Sequence, residues 1–292
     1  MTAGMMTWQR CVTALLLSLA IVLSAAPARS AGVALLTDLQ GKAIGSNSGR
    51  AVELTILAEL PAGAQVQLAA GASMAALYLD SGDEYVFKGP ATIVFRAAQP
   101  EVTTGEKPER RGPPLGVHGK DIHIKPVGIA QGALVMRGTA PGARLQPLSL
   151  HRTRTLETQP EFRWRELEPG VKYRFKLNDD AGRTLFQSEV AAASLKLPSS
   201  VRLKEGVLYT WEVSARVDGR KYSISAEFTL ASADLRAEAD ALRPGASAPL
   251  SRRIAYAAWL DQVELKDEAK KYWQAASAER PEDPRLRALG AR

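Results

Sequence analysis

Residues 208–230 read LYTWEVSARVDGRKYSISAEFTL. Tyr209, Trp211, Val213, Ala215 and Val217 occupy one side of a two-residue alternation, and Thr210, Glu212, Ser214 and Arg216 the other. That is the pattern of a strand with one buried face. Asp218-Gly219 follows, a dipeptide that tolerates the positive φ angles of a tight hairpin turn. The return strand places Tyr222, Ile224, Ala226, Phe228 and Leu230 inward and Ser223, Ser225, Glu227 and Thr229 outward. Slipping the pairing by one residue would expose the whole apolar set, so the register is fixed by the pattern itself.

The alternation extends upstream. Phe162 and Trp164 alternate with Arg163 and Arg165, and Tyr173, Phe175 and Leu177 with Arg174 and Lys176. A turn at 178–182 is followed by short strands near 185–190 and 194–197, the last stopped by Pro198. Short strands with turn signals between them predict a β-sandwich over 158–231. The run resembles a fibronectin type III or related immunoglobulin-like domain. Trp164 stands where that family keeps a buried Trp on an early strand. Leu203, Gly206 and Tyr209 resemble its corner before the penultimate strand, where a Tyr hydroxyl bonds back to the main chain. Arg163, Arg165, Arg174 and Lys176 are read first as the solvated outer face; a strip for an anionic ligand is the alternative.

Residues 1–30 read as a secretory signal. Arg10 opens it, 11–26 is an apolar run of signal length, and small residues at 26–28 and 28–30 suit cleavage. An uncleaved segment would anchor the chain to a membrane instead; no other stretch is long and apolar enough to span one. The chain has 292 residues and a net charge of +7. A chain starting at Ala31 lacks Arg10 and Arg29 and carries +5. That mild excess permits contact with anionic polymers without requiring it, and no dense basic patch interleaved with aromatics points to nucleic acid. The one Cys, Cys11, lies in the signal, so the exported chain would have no disulfide and no thiolate metal site. The expected location is periplasmic or extracellular.

Residues 32–98 predict a second β-rich region, with turns at 40–41, 61–63 and 80–83. Leu60-Pro61-Ala62-Gly63, then 75–82 (AALYLDSG), then Gly89-Pro90-Ala91 resemble the FecR-like domain of bacterial envelope proteins. The resemblance implies a non-catalytic envelope module over 31–137. Residues 98–116 are rich in Pro and Gly and read as a connector or long loop. Lys107, Arg110 and Arg111 cluster there and are candidates to touch an anionic surface. A strand over 117–125 would send His118 and His123 to opposite faces, against a shared metal. His151 has no carboxylate at ligand spacing. A strand at 133–136 would complete the first domain, and 138–157 supplies a linker and first strand.

After Leu230 the period changes to 3.6. Ser232 caps a short helix with Leu235, Ala239 and Leu242 on one face. Ser247 is expected to cap a second helix, with Pro249 in its first turn, and Asp267 a third that ends before Pro281. The second and third resemble one tetratricopeptide-type hairpin, on the spacing from Ala257 and Leu260 through Ala269, Trp273 and Ala276 to Pro281. One such hairpin needs neighbours to cover its apolar face. Tyr256, Trp259, Tyr272 and Trp273 are therefore candidates for a partner-docking surface, against the plainer reading that they hold the hairpin to its own chain.

The expected fold is mainly β with an α-helical C-terminus: two β-rich domains, the second a fibronectin-like sandwich, and a helical hairpin. No phosphate loop, nucleophile elbow or metal-ligand spacing is present in the sequence. No catalytic residue, metal site or cofactor is expected. The leading expectation is a non-catalytic exported envelope protein that acts as a protein-interaction or scaffold module and has an envelope protein partner. The alternatives are a cell-wall or surface-polysaccharide binder and an unrecognised hydrolase; nucleic acid is not expected.

Overall fold

The computed structural model describes residues 32–113 and 145–292. The signal segment, His118, His123, and the strands expected at 117–125 and 133–136 lie outside the described residues. From Gly32 the chain forms β1 (Gly32–Gln40), β2 (Ala43–Asn47), β3 (Arg50–Val52), β4 (Glu59–Pro61), β5 (Gln65–Leu68), β6 (Ser73–Tyr78), β7 (Glu84–Lys88), β8 (Ala91–Phe95), β9 (Pro100–Thr104) and β10 (Glu109–Arg111). They build two five-stranded sheets, β10-β7-β6-β1-β4 and β3-β2-β5-β8-β9. Leu36, Ala76, Tyr78 and Phe87 of the first sheet meet Val66, Ile93 and Phe95 of the second in one core. Gly89 permits the tight approach that joins β7 to β8, because a Cβ there would run into the Ala69 carbonyl oxygen.

The stretch expected as a loop, 98–116, instead contributes β9 and β10 as edge strands of the two sheets. Prolines and glycines hide such strands in a sequence because they break the alternation, yet an edge strand tolerates them. Pro100 opens β9.

The second domain consists of β11 (Thr153–Thr155), β12 (Glu161–Arg163), β13 (Tyr173–Asn178), β14 (Thr184–Val190), β15 (Ser194–Lys196), β16 (Leu208–Val217) and β17 (Arg220–Leu230). One sheet runs β11-β17-β16-β13-β14 and the other is the pair β12-β15. This is a fibronectin-like sandwich, with β11 lying parallel to β17. Asp218 and Gly219 both adopt positive φ at the β16-β17 turn, and the ten-pair register runs from Leu208↔Thr229 to Val217↔Arg220. Phe162, Trp164, Phe175, Trp211 and Phe228 fill the core. Tyr209 makes the corner: its hydroxyl accepts from the Lys204 N–H at 2.7 Å.

Four helices follow: α1 (Ala233–Leu242), α2 (Leu250–Gln262), α3 (Lys266–Glu279) and α4 (Pro284–Gly290). Ser232 caps α1, accepting from the Leu235 N–H. Two expected caps differ. The residue before α2 is Pro249, not Ser247, and α3 starts at Lys266 with Asp267 already inside its first turn. Asp267 is diverted to the Leu150 N–H, which it accepts at 2.7 Å.

The helices pack on the first domain. Leu35 and Leu77 point away from that domain's own core and join Ile56 and Leu57 against α2 and α3 in a second core. The first sheet is thus buried on both faces, which explains why β6 reads as nearly continuous burial rather than alternation. The helices also meet the sandwich: the Thr153 hydroxyl donates to the Glu264 carbonyl and accepts from the Lys266 N–H, both at 3.0 Å. The Arg154 N–H donates to the same Glu264 carbonyl at 2.8 Å. The helical region therefore ties the two β domains together.

Candidate functional site

The four candidate docking rings lie at the join between helices and first domain. Tyr256, Trp259 and Trp273 are buried, 1%, 2% and 1% exposed, and Tyr272 is half-buried against them. Tyr256 stacks on Trp259 at 5.7 Å and meets Tyr272 edge-on at 4.9 Å. Its hydroxyl donates to the Ala239 carbonyl at 2.7 Å, fixing α1 to α2, and burial pushes the phenol up to about 12. The Trp273 indole N–H donates to the Asp261 carboxylate at 2.9 Å. Three of the four rings expected at a docking surface are thus buried within the chain, in the core that also holds Leu35, Ile56, Leu57 and Leu77.

The basic cluster is also largely satisfied within the chain. Arg110 pairs with Asp83 at 2.8 Å, and Arg111 with Glu109 at 2.9 Å and with buried Glu84 at 3.7 Å. Only Lys107 of the three stays exposed without an ion pair among the described residues. Pairing of β10 with β7 aims these arginines at neighbouring acids, a long-range consequence that composition alone does not carry.

The sequence reading missed a cleft of about 530 Å³ at the seam between sandwich and helices. One wall is the segment Pro147–His151 before β11; the others come from α2, the first turns of α3 and the end of α4. The lining is mostly apolar, with Ala258, Trp273 and Leu289 on the helical side. Leu148 is 52% exposed at its mouth. His151 also lines it.

The polar groups of the cleft divide into two sets. Asp261 and Asp267 are engaged: the first accepts from Trp273, the second from the Leu150 N–H. Burial holds both carboxyls above the usual carboxylate range. Lys266 and Lys270 make no ion pair among the described residues, and Gln262 Oε1 is buried without a hydrogen-bond donor. Two cations without a direct ion pair thus line the hollow beside one acceptor that has no partner among the described residues, and the lysines lie within the electrostatic reach of Asp261 and Asp267. Leu150 and Arg152 on the sandwich side and Glu264 on the helical side all hold positive φ. That conformation costs a non-glycine residue roughly 1–3 kcal/mol and is retained where surrounding structure imposes it.

Asp267 sets a pH dependence. A carboxyl raised by burial contributes most to stability when protonated, below about pH 4, and that contribution is lost as pH rises through the raised value. Asp267→Asn retains an acceptor for Leu150 and removes the charge. Its urea midpoint relative to the unsubstituted chain should move upward between pH 4 and pH 8; a relative fall over that interval would contradict the burial argument.

Among the described residues no three His, Cys, Asp or Glu side chains gather in a group that could hold a metal ion, and no helix is long and apolar enough to cross a membrane. No family model matches the chain, and no curated protein matches it. Among solved structures the chain is similar to a β-glucuronidase of Parabacteroides merdae with glycerol in its active site, at TM-score 0.23 and 11% identity over 30% of this chain. It is also similar to dimeric latent PorU from Porphyromonas gingivalis, at TM-score 0.24 and 12% identity over 65% of this chain. The chain spans 14% and 16% of the length of those two proteins. At such TM-scores neither likeness carries an argument.

Proposed function

We propose that this chain is a non-catalytic exported envelope protein that serves as a protein-interaction module, with a partner segment held in the seam cleft. Export rests on the signal-like residues 1–30, and the scaffold character on the FecR-like and tetratricopeptide-like resemblances of residues 60–91 and 257–281. The observation that carries the reading is the cleft's combination of apolar walls, the cations Lys266 and Lys270, which make no direct ion pair among the described residues, and the acceptor Gln262 Oε1. An extended peptide meets all three, with an apolar side chain for the walls, a carboxylate for the lysines and a backbone N–H for Gln262. A peptide N–H at Gln262 Oε1 replaces a water donor and adds about 0.5–1.5 kcal/mol, so this bond orients the ligand and the apolar walls supply most of the affinity.

A library of random displayed peptides, selected on the purified chain, tests this. Sequences with an acidic residue beside a large apolar one should be enriched, and enrichment should vanish on Leu148→Glu and on the double variant Lys266→Glu/Lys270→Glu. Enrichment of basic peptides, or equal enrichment on these variants, contradicts it.

A further inference from the structure

A second, separate feature lies on the sandwich. Its five-stranded sheet turns one face to solvent, and at the β16-β17 turn end that face forms a hollow of about 390 Å³. Lys172, Arg174, Arg216 and Lys221 line it, with Glu189 and Ser214. Arg216 stands directly opposite Lys221 across β16 and β17. Ser214 lies between Arg174 and Ser223 on the next rung, and Glu189 faces Arg174 from β14.

Like charges directly opposite on neighbouring strands destabilise a sheet, and a merely wet face has no need of them. The same face shows the ordinary solution two residues along, where Lys176 is opposite Glu212. At the turn end the charge is not compensated. Glu189 is the one acid in the hollow and pairs with Lys172 at 3.6 Å. Arg174, Arg216 and Lys221 make no ion pair among the described residues, and Arg220 at the start of β17 adds a cation against Asp218 in the turn. Neighbouring strands lie about 4.8 Å apart, so the cations cluster on two successive outward rungs, Arg216 with Lys221 on one and Arg174 with the Ser214 and Ser223 hydroxyls on the other.

We propose that this hollow binds an acidic polysaccharide, a glycan chain bearing carboxylates at regular intervals and lying across β13, β16 and β17. A polymer strand enters a hollow that a flat bilayer would bridge. The outward residues of these strands include no aromatic ring on which a nucleobase could stack. Exposed cations act additively and are screened at physiological salt over about 8 Å, so the affinity should be salt-dependent.

Binding of polygalacturonate to the purified chain is the test, with neutral dextran, phosphatidylglycerol vesicles and a single-stranded oligonucleotide as comparisons. Polygalacturonate should bind at low salt and release as salt rises. Arg174→Gln/Arg216→Gln/Lys221→Gln should weaken it at least tenfold. Arg163→Gln/Arg165→Gln/Arg202→Gln removes the same charge from elsewhere on the sandwich and should change it less than twofold. All six residues are exposed, and unchanged thermal midpoints confirm that both variants fold. No polygalacturonate binding, equal loss in the two triple variants, or tighter binding of vesicles or oligonucleotide through the same three residues each overturns the proposal. The seam-cleft variants Leu148→Glu and Lys266→Glu/Lys270→Glu should leave this binding intact, so the two sites stand or fall separately.

Discussion

A chain ending at Ser232 is expected to retain a folded sandwich and lose the first β domain. Removing the four helices uncovers Leu35, Ile56, Leu57 and Leu77, none more than 4% exposed in the full chain. Full burial of such a side chain contributes about 1.5–3 kcal/mol, so four of them approach the whole stability of a typical domain, about 5–15 kcal/mol. The cut also severs the Arg280–Asp38 pair at 3.8 Å and takes Arg252 from beside Glu84. The sandwich keeps its own core of Phe162, Trp164, Phe175, Trp211 and Phe228 and gives up the hydrogen bonds from β11 to the helices, the Leu150–Asp267 bond and the Glu205–Arg236 pair at 2.8 Å. The tryptophans separate the two outcomes. Trp164 and Trp211 report the sandwich, and no Trp lies in residues 32–113. The shortened chain should show a cooperative Trp fluorescence transition, while the amides of β6 exchange with solvent freely. Protection of β6 amides at full-chain levels would mean that the first domain does not depend on the helices.

Trp211→Ala should cost about 3–5 kcal/mol, the usual range for emptying a large buried aromatic site. Trp211 is fully buried, with ring centroids 5.6 Å from Phe162, 6.2 Å from Phe175 and 6.4 Å from Trp164. Its indole N–H donates to the Leu150 carbonyl at 2.8 Å. Leu150 holds φ +52° and donates its own N–H to Asp267. Trp211 thus anchors the strained segment that forms one wall of the cleft. Trp211→Phe keeps most of the packing but orphans a buried carbonyl, at about 1–3 kcal/mol. Urea unfolding followed by circular dichroism measures both. An alanine variant within about 1 kcal/mol of the unsubstituted chain would show that the aromatic cluster does not carry the sandwich. Peptide selection should also weaken on Trp211→Phe, because the cleft wall at Leu150 loses its tether.

The sandwich was the most legible part of the chain. Strict alternation from Tyr209 to Leu230 and the Asp218-Gly219 turn specify register locally, and the Tyr209 hydroxyl accepts from the Lys204 N–H five residues back. What could not be read depends on distant neighbours. Leu35 and Leu77 look like any strand residues, and only the helices decide that both faces of their sheet are buried. Helical spacing placed Trp273 among the hairpin's packing positions, but spacing does not say what covers it or that Tyr256 and Trp259 are buried as well. Asp267 has the residue type of a helix cap, yet its acceptor serves an N–H 117 residues away. One missed element did carry a local signal: Asp283-Pro284 is a cap followed by a first-turn proline, and the Asp283 carboxylate accepts from Arg285 and Leu286 at the start of α4. The seam cleft had none, since its walls come from segments more than 100 residues apart.

The most direct test places a photo-cross-linking amino acid at Leu148, in the cleft mouth, and separately at Ala275, exposed on α3, in chains expressed in living cells. A partner held in the cleft should give one protein adduct from position 148, abolished by Lys266→Glu/Lys270→Glu, and none from position 275. An adduct from position 275 that the lysine substitutions leave unchanged, with none from position 148, would contradict docking at the seam and return the interface to the helices.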